Sequence, residues 1–300
     1  MNRPSLKIFL IPRSFEYASP TSLEEAFSYL DEYGQDSKIL AGGQSLIPLM
    51  KLRLASPKYV IDINRIPDLD YIRENNGWIE VGALTRHHAI ETSQLLKRRV
   101  PIMPEAAAMI GDPQIRNNGT IGGALVHADP SADWGAVIMA LRAELRMVSS
   151  AGERMVESDK FFVDTLAAAT KRNEILTGIK FQVMEKSGSS YVKLERKTQD
   201  FATVGVAAQI ALNDFGACES VGIGLASVAS TSIRASKAEE VLAGKELTKA
   251  AIEEAAIVAS NECSPSDDVL RGSARYKRAM VKVLTERALT HAVSRVKKEM

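Results

Sequence analysis

Lys38-Ile39-Leu40-Ala41-Gly42-Gly43-Gln44-Ser45 and Asn118-Gly119-Thr120-Ile121-Gly122-Gly123-Ala124 are the two stretches that decide how this chain is read. In the first, a short apolar run of strand character passes straight into paired glycines. In the second, glycines surround a hydroxyl and an isoleucine. Six of the 19 glycines crowd into residues 39–45 and 111–123. Without a Cβ the main chain comes close to a ligand, and successive amides are free to face phosphate oxygens. A lone Gly-Gly reads first as a plain turn. Two such segments, each with amides and a hydroxyl (Ser45, Thr120), suit a diphosphate held between two loops. Neither has the spacing G-x-G-x-x-G or G-x-x-x-x-G-K-S/T, so the nicotinamide and nucleoside-triphosphate readings lose their usual support.

Working outward, Thr21-Ser22-Leu23-Glu24-Glu25 offers overlapping capping boxes, followed by apolar residues at helical spacing up to Gly34. Strands are expected at 38–41 and 59–63, and residues up to about 55 read as a small β-α-β unit. A strand at 78–82, a helical stretch from Thr85, a helix at 105–110 ended by Gly111, an apolar helix at 134–141 and a strand at 144–149 follow. After about residue 172 the character changes to long β-like runs at 175–183, 190–195, 202–212 and 220–228. Helices beginning at Ser232, Thr248 and Ser273 close the chain.

Composition narrows the function classes. The 38 basic and 37 acidic residues nearly cancel, which gives no electrostatic footprint for nucleic acid. Cys218 and Cys263 are too few for a disulfide framework or for the four thiolates of an iron–sulfur cluster, and both read as small buried hydrophobes. Arg3 and Lys7 precede only a short apolar stretch at 8–11, and no run approaches the roughly 20 apolar residues of a membrane span. The chain reads as a cytoplasmic protein without a transmembrane segment.

Several side chains invite a functional role and have a plain one beside it. In His127-Ala128-Asp129-Pro130-Ser131-Ala132-Asp133-Trp134, Asp133 is placed to accept hydrogen bonds from ribose or ribityl hydroxyls, while Asp133 or Ser131 equally caps the following helix. Asp129 before proline reads as a turn residue. His87 and His88 point about 100° apart on a helix and do not converge on one ion, so a surface or cap role is expected and no metal site is assigned. Arg116 either neutralises a pyrophosphate or forms a salt bridge that pins its loop. Lys193, alternating in a strand, reads by default as solvent-facing. The basic segment 271–299 reads as a solvated face or as a surface for an acidic partner.

Taken together, Ala-Gly-Gly-Gln-Ser-Leu-Ile-Pro (41–48), Gln-Ile-Arg-Asn-Asn-Gly-Thr-Ile-Gly-Gly (114–123) and His-Ala-Asp-Pro-Ser-Ala-Asp (127–133) resemble the FAD-binding medium subunit of molybdenum hydroxylases. That family includes the carbon monoxide dehydrogenase flavoprotein and the flavin subunits of xanthine and nicotinate dehydrogenases. The resemblance runs from Ser14-Phe15-Glu16-Tyr17 to Arg271-Gly272-Ser273-Ala274-Arg275-Tyr276-Lys277-Arg278. It implies an α+β fold: a two-subdomain FAD-binding domain of the vanillyl-alcohol-oxidase type (1–55 and 56–172), then a C-terminal domain of antiparallel sheet plus helices (173–300). It places FAD contacts at Ala41, Gly42, Gly43, Gln44, Ser45 and Leu46, at Gly119, Thr120, Ile121, Gly122, Gly123 and Ala124, and at Asp133, Leu176, Lys193 and Phe201. Gln44 stands where many relatives have histidine, Ala124 where many have asparagine, and Phe201 where some have a tyrosine beside the isoalloxazine.

The resemblance further implies an electron-transfer subunit of a heterotrimer. Substrate is oxidised on a large molybdopterin-binding subunit, electrons cross a small iron–sulfur subunit, and FAD here passes them to an external acceptor. No catalytic acid, base or nucleophile is expected from this chain. Two alternatives stand beside it: a stand-alone FAD-dependent oxidoreductase, which predicts substrate turnover by the isolated chain, and a non-catalytic scaffold subunit whose glycine loops are structural.

Overall fold

Ser22 starts the first helix. Its hydroxyl accepts the Glu25 amide at 3.2 Å, and the Glu25 carboxylate accepts the Thr21 amide at 2.8 Å, the reciprocal capping expected of this sequence. In the computed structural model, which describes residues 11–299, this helix belongs to a small parallel unit. Arg3, Lys7 and residues 8–10 of the short apolar stretch lie outside the described residues. The unit comprises β1 (Glu16–Ala18), α1 (Leu23–Tyr33), β2 (Ser37–Leu40), α2 (Leu46–Lys51) and β3 (Tyr59–Asp62), with strand order β1-β3-β2. Ala26, Phe27 and Leu30 of α1 are buried with Ile61, Ile63 and Ile66. β3, the central strand, begins only at Tyr59, so the expected border at residue 55 falls in the connection that leads into this sheet.

The middle unit contains β4 (Ile72–Asn75), β5 (Trp78–Gly82), α3 (His87–Thr92), α4 (Gln94–Arg99), α5 (Ile102–Ala108), α6 (Pro113–Asn118), α7 (Ile121–His127), α8 (Asp133–Ala140), β6 (Glu144–Ser149), β7 (Gly152–Glu157), β8 (Phe162–Asp164), β9 (Ala167–Ala168) and β10 (Ile175–Gln182). Its main sheet is antiparallel, in the order β4-β5-β10-β6-β7. β10 lies between β5 and β6, so the sheet continues past the change of character near residue 172. The expected helix at 105–110 begins earlier, at Ile102: Pro104 sits in its first turn, where a missing N–H breaks no helical bond.

The C-terminal unit holds β11 (Ser187–Glu195), β12 (Ala202–Leu212), β13 (Cys218–Ala226), β14 (Ile233–Arg234), α9 (Ser236–Leu242), α10 (Lys249–Glu262) and α11 (Ala274–Glu299). Its antiparallel sheet runs β11-β12-β13-β14. Val204, Val206, Ala208 and Ile210 alternate toward one face, in a cluster with Ala238, Ile252, Leu284 and Leu289 of the three helices. Every residue of β12 is buried because the other face is covered too, by α8. A Cβ at Gly222 or Gly224 would stand 2.0 or 1.9 Å from the carbonyls of Ala140 and Ala136, so the glycines of β13 let α8 lie directly on the sheet. This explains why α8 is apolar on all sides: it is the shared core between the middle and C-terminal units. Cys218 and Cys263 are buried free thiols, and burial lifts the Cys218 thiol to about 11. Among the described residues no helix is long and apolar enough to cross a membrane.

Candidate functional site

The two glycine bends touch. A Cβ at Gly42 would lie 2.5 Å from the Asn118 carbonyl oxygen, 2.7 Å from Gly119 Cα and 2.9 Å from Thr120 N, all of them main chain. Backbone therefore packs on backbone, and only glycine at position 42 permits it. The first bend leaves the C-terminal end of β2, the end of a parallel strand at which ligands of open α/β sheets bind. Gly43 has φ +72° and Gln44 Nε2 donates to the Gly42 carbonyl at 3.1 Å. Main-chain bonding resumes at Ile47, whose amide reaches the Gly43 carbonyl at 3.0 Å. The intervening amides of residues 42–46 make no hydrogen bond among the described residues, which leaves a run of donors on the bend.

The second bend is built differently. It was expected to be a loop; Thr120 instead caps α7, its Oγ1 accepting the Gly123 amide at 3.2 Å. The amides of Gly119, Ile121, Gly122 and Ala124 bond to the carbonyls of Ile115, Thr85, Ala83 and Thr120. Thr120 N alone in this segment makes none among the described residues. Donors come mainly from the first bend, while the second is tied to α6 and to the turn after β5. A Cβ at Gly122 would stand 2.5 Å from Ala83 Cβ, so that contact is also tight.

Behind the second bend lies a histidine that the sequence reading assigns to the surface or to a cap. His87 is instead buried at 3% exposure, and its Nδ1 accepts the Trp134 indole N–H at 3.2 Å. Burial, with Arg86 and Arg116 nearby, holds its pKa down to about 4, so the ring is neutral with its proton on Nε2. A Cβ on Gly119 would stand 2.8 Å from that nitrogen. His88 is exposed, 3.6 Å from Glu91. Arg116 donates to Glu91 at 2.8 Å and to the Gly111 carbonyl at 2.8 Å, the salt bridge and turn contact that the pinning reading expects.

Asp133 opens α8, and Ala132 is the N-cap. Its carboxylate does not cap the helix: it accepts the Tyr191 hydroxyl at 2.6 Å and the Lys193 ammonium at 3.2 Å. Lys193 also donates to the Met109 carbonyl at 2.9 Å, and its side chain is 2% exposed, contrary to the solvent-facing default. Burial raises the Asp133 pKa against the opposing pull of Lys193 and Tyr191, and it pushes the Tyr191 hydroxyl well above the phenol range. Contacts thus run from Gly119 through His87 and Trp134 to Asp133, Tyr191 and Lys193. Asp129 makes the expected turn, accepting the Ser131 amide at 2.8 Å. The Ser131 carbonyl accepts the Ala202 amide, which sets the half-exposed Phe201 beside that turn. Leu176 is buried in β10 opposite Met147, within the core cluster.

Comparison with known proteins agrees end to end. Residues 13–181 match the family described as the FAD binding domain in molybdopterin dehydrogenase, and residues 189–292 match the CO dehydrogenase flavoprotein C-terminal domain. The carbon monoxide dehydrogenase medium chain of Hydrogenophaga pseudoflava is 41% identical over 288 residues, covering 95% of this chain and 99% of its own length. The glyceraldehyde dehydrogenase medium chain of Sulfolobus acidocaldarius is 38% identical, covering 93% and 98%. A solved structure of the Hydrogenophaga pseudoflava carbon monoxide dehydrogenase superposes with a TM-score of 0.92 at 42% identity, covering 95% of this chain and 99% of that one.

Proposed function

The chain belongs to the family of FAD-binding medium subunits of molybdenum-containing dehydrogenases, and from that premise we propose how its residues serve the cofactor and the complex. FAD is the family's cofactor and this chain is the flavoprotein part of an oxidoreductase. When bound, FAD supplies the redox chemistry; the protein supplies position and electrostatics. In this reading the free amides of residues 42–46 and of Thr120 face the diphosphate, and Ser45 and Thr120 flank it. Ala41 to Leu46 and Gly119 to Ala124 form the cradle, and Asp133, Leu176, Lys193 and Phe201 complete the contact set. The Asp133–Lys193 pair balances its own charge and the neutral His87 adds none, so these buried groups leave no net charge beside the diphosphate.

Electrons arrive from a small iron–sulfur subunit and leave to an external acceptor, while substrate is oxidised on a large molybdopterin-binding subunit. The reading places the complex in the cytoplasm. In place of the borders expected at residues 55 and 172, it divides the chain into a first FAD-binding subdomain ending after β3, a second ending after β10, and a C-terminal unit. Supporting that second border, the two family matches end at residue 181 and begin at 189.

The observation that carries the reading is the seating of Gly42 on the main chain of Asn118–Thr120, which joins two glycine bends at one place. Reconstitution of the purified chain with FAD tests it. A bound-flavin absorption spectrum is expected, with stabilisation of about 3 kcal/mol at a hundredfold excess over Kd. A colourless protein whose melting is unmoved by FAD would sink it.

A further inference from the structure

Asn64 and Arg86 belong to none of the motifs above, yet between them they connect the two bends. Asn64 lies just beyond β3, where Asp62 Oδ1 accepts both its main-chain amide at 3.0 Å and its Nδ2 at 2.6 Å. Asp62 is itself anchored to β1, since its other oxygen accepts the Tyr17 hydroxyl at 2.6 Å. The same Asn64 Nδ2 donates to the Ala41 carbonyl at 2.8 Å, immediately before Gly42. Asn64 Oδ1 in turn accepts Arg86 Nη2 at 2.7 Å, and Arg86 Nη1 donates to the Asn118 carbonyl. That carbonyl is the one on which Gly42 packs. A closed circuit results: Ala41 carbonyl, Asn64, Arg86, Asn118 carbonyl, and back to the first bend through Gly42.

The geometry points to Asn64 and Arg86 as positioning residues, a clasp that fixes the spacing of the two glycine bends and so pre-organises them for the diphosphate of FAD. The inference rests on the FAD reading given above. A planar guanidinium with donors aimed in two directions spans the carbonyl and the amide at once; an ammonium on a flexible stem does not hold both in fixed geometry. The clasp acts through main-chain carbonyls, so its contribution is the ordering that FAD would otherwise have to impose on binding.

The test uses the full chain stripped of flavin and titrated with FAD by quenching of flavin fluorescence. Asn64→Ala and Arg86→Gln are each expected to weaken binding on the order of tenfold, ~1.4 kcal/mol. The double variant is expected to lose little beyond either single one, because both remove one bridge. Arg86→Lys keeps the charge and is expected to behave like Arg86→Gln. The melting temperature of the flavin-free chain is expected to move less than that of the FAD-loaded chain. Unchanged affinity in the single variants, multiplied losses in the double, or full rescue by lysine each overturn the clasp while leaving the FAD reading standing. Failure of the wild-type chain to bind FAD overturns both.

Discussion

Glu105 of α5 and Arg295 of α11 meet across the open edge of β11. The Glu105 carboxylate accepts the Tyr191 amide at 3.1 Å, Arg295 donates to the Ser189 carbonyl, and the two side chains pair with each other. An unpaired strand edge is a template for association, and here a helix on either side takes up one of its polar groups. Arg295→Ala strands the Ser189 carbonyl and leaves Glu105 without its cation. Both side chains are about 30% exposed (31% and 29%), so solvent screening keeps the expected loss to about 1–2 kcal/mol. Denaturant unfolding together with light scattering checks it; an unchanged midpoint and no self-association would refute the edge role.

Glycine substitutions separate the cradle from the scaffold. At Gly42 an added methyl meets only main chain, from 2.5 to 2.9 Å away, so the bends must part. At Gly43 it meets the Ile47 Cδ1 at 2.6 Å, which a rotamer change relieves, but φ +72° costs a side chain about 1–2 kcal/mol. Gly42→Ala is therefore expected to weaken FAD binding more than Gly43→Ala. Gly122→Ala presses on Ala83 and is expected to lower the melting temperature of the flavin-free chain as well. Flavin titration and melting of the three variants read out this order, and equal FAD affinity for wild type and Gly42→Ala would break it.

Much of this was legible because it is local. Paired glycines after a strand, the Ser22 capping box and the long β-like run at 202–212 all declare themselves within a few residues. What was not legible depends on contacts between distant segments. Arg86 reaches Asn64 and Asn118, partners 22 and 32 positions away, through carbonyl and amide groups that leave no mark on composition. His87 looked like half of an exposed pair because its partner, Trp134, lies 47 positions on. Lys193 alternates as a surface strand residue does, but the Met109 carbonyl after α5 and the Asp133 carboxylate opening α8, 84 and 60 positions away, take up its ammonium and bury it. The second bend read as a loop because its glycines disfavour helix; the Thr120 cap and the packing of α7 on Ala83 outweigh that cost.

His87 makes stability depend on pH. Its folded pKa, about 4, lies below the ordinary 6.5, so the unfolded chain takes up the proton first. The stabilising effect is fully present above pH 6.5 and is lost as pH falls toward 4, amounting to about 2 kcal/mol at pH 5. His87→Gln, which still offers the Trp134 indole an acceptor, is expected to flatten this part of the profile. Melting temperatures between pH 7 and pH 4.5 decide the matter: identical slopes for the two proteins would exclude His87 as the cause.

The Asp133–Lys193 pair is expected to be more costly to break than the Tyr191 hydrogen bond beside it. Tyr191→Phe removes one donor from a carboxylate that keeps its cation, a loss of about 1–3 kcal/mol. Lys193→Met leaves that carboxylate, 5% exposed, with no cation and frees the Met109 carbonyl, a loss of about 3–5 kcal/mol at neutral pH. Burial already raises the Asp133 pKa and Lys193 is the largest influence holding it down, so the variant raises it further. A carboxyl group whose folded pKa lies above its unfolded one gains stability as pH falls, so the Lys193→Met deficit is expected to shrink on acidification. Denaturant unfolding at several pH values measures it; a deficit independent of pH would mean that Asp133 carries no charge in the native protein, and the ion pair would have to be redrawn as a neutral hydrogen bond.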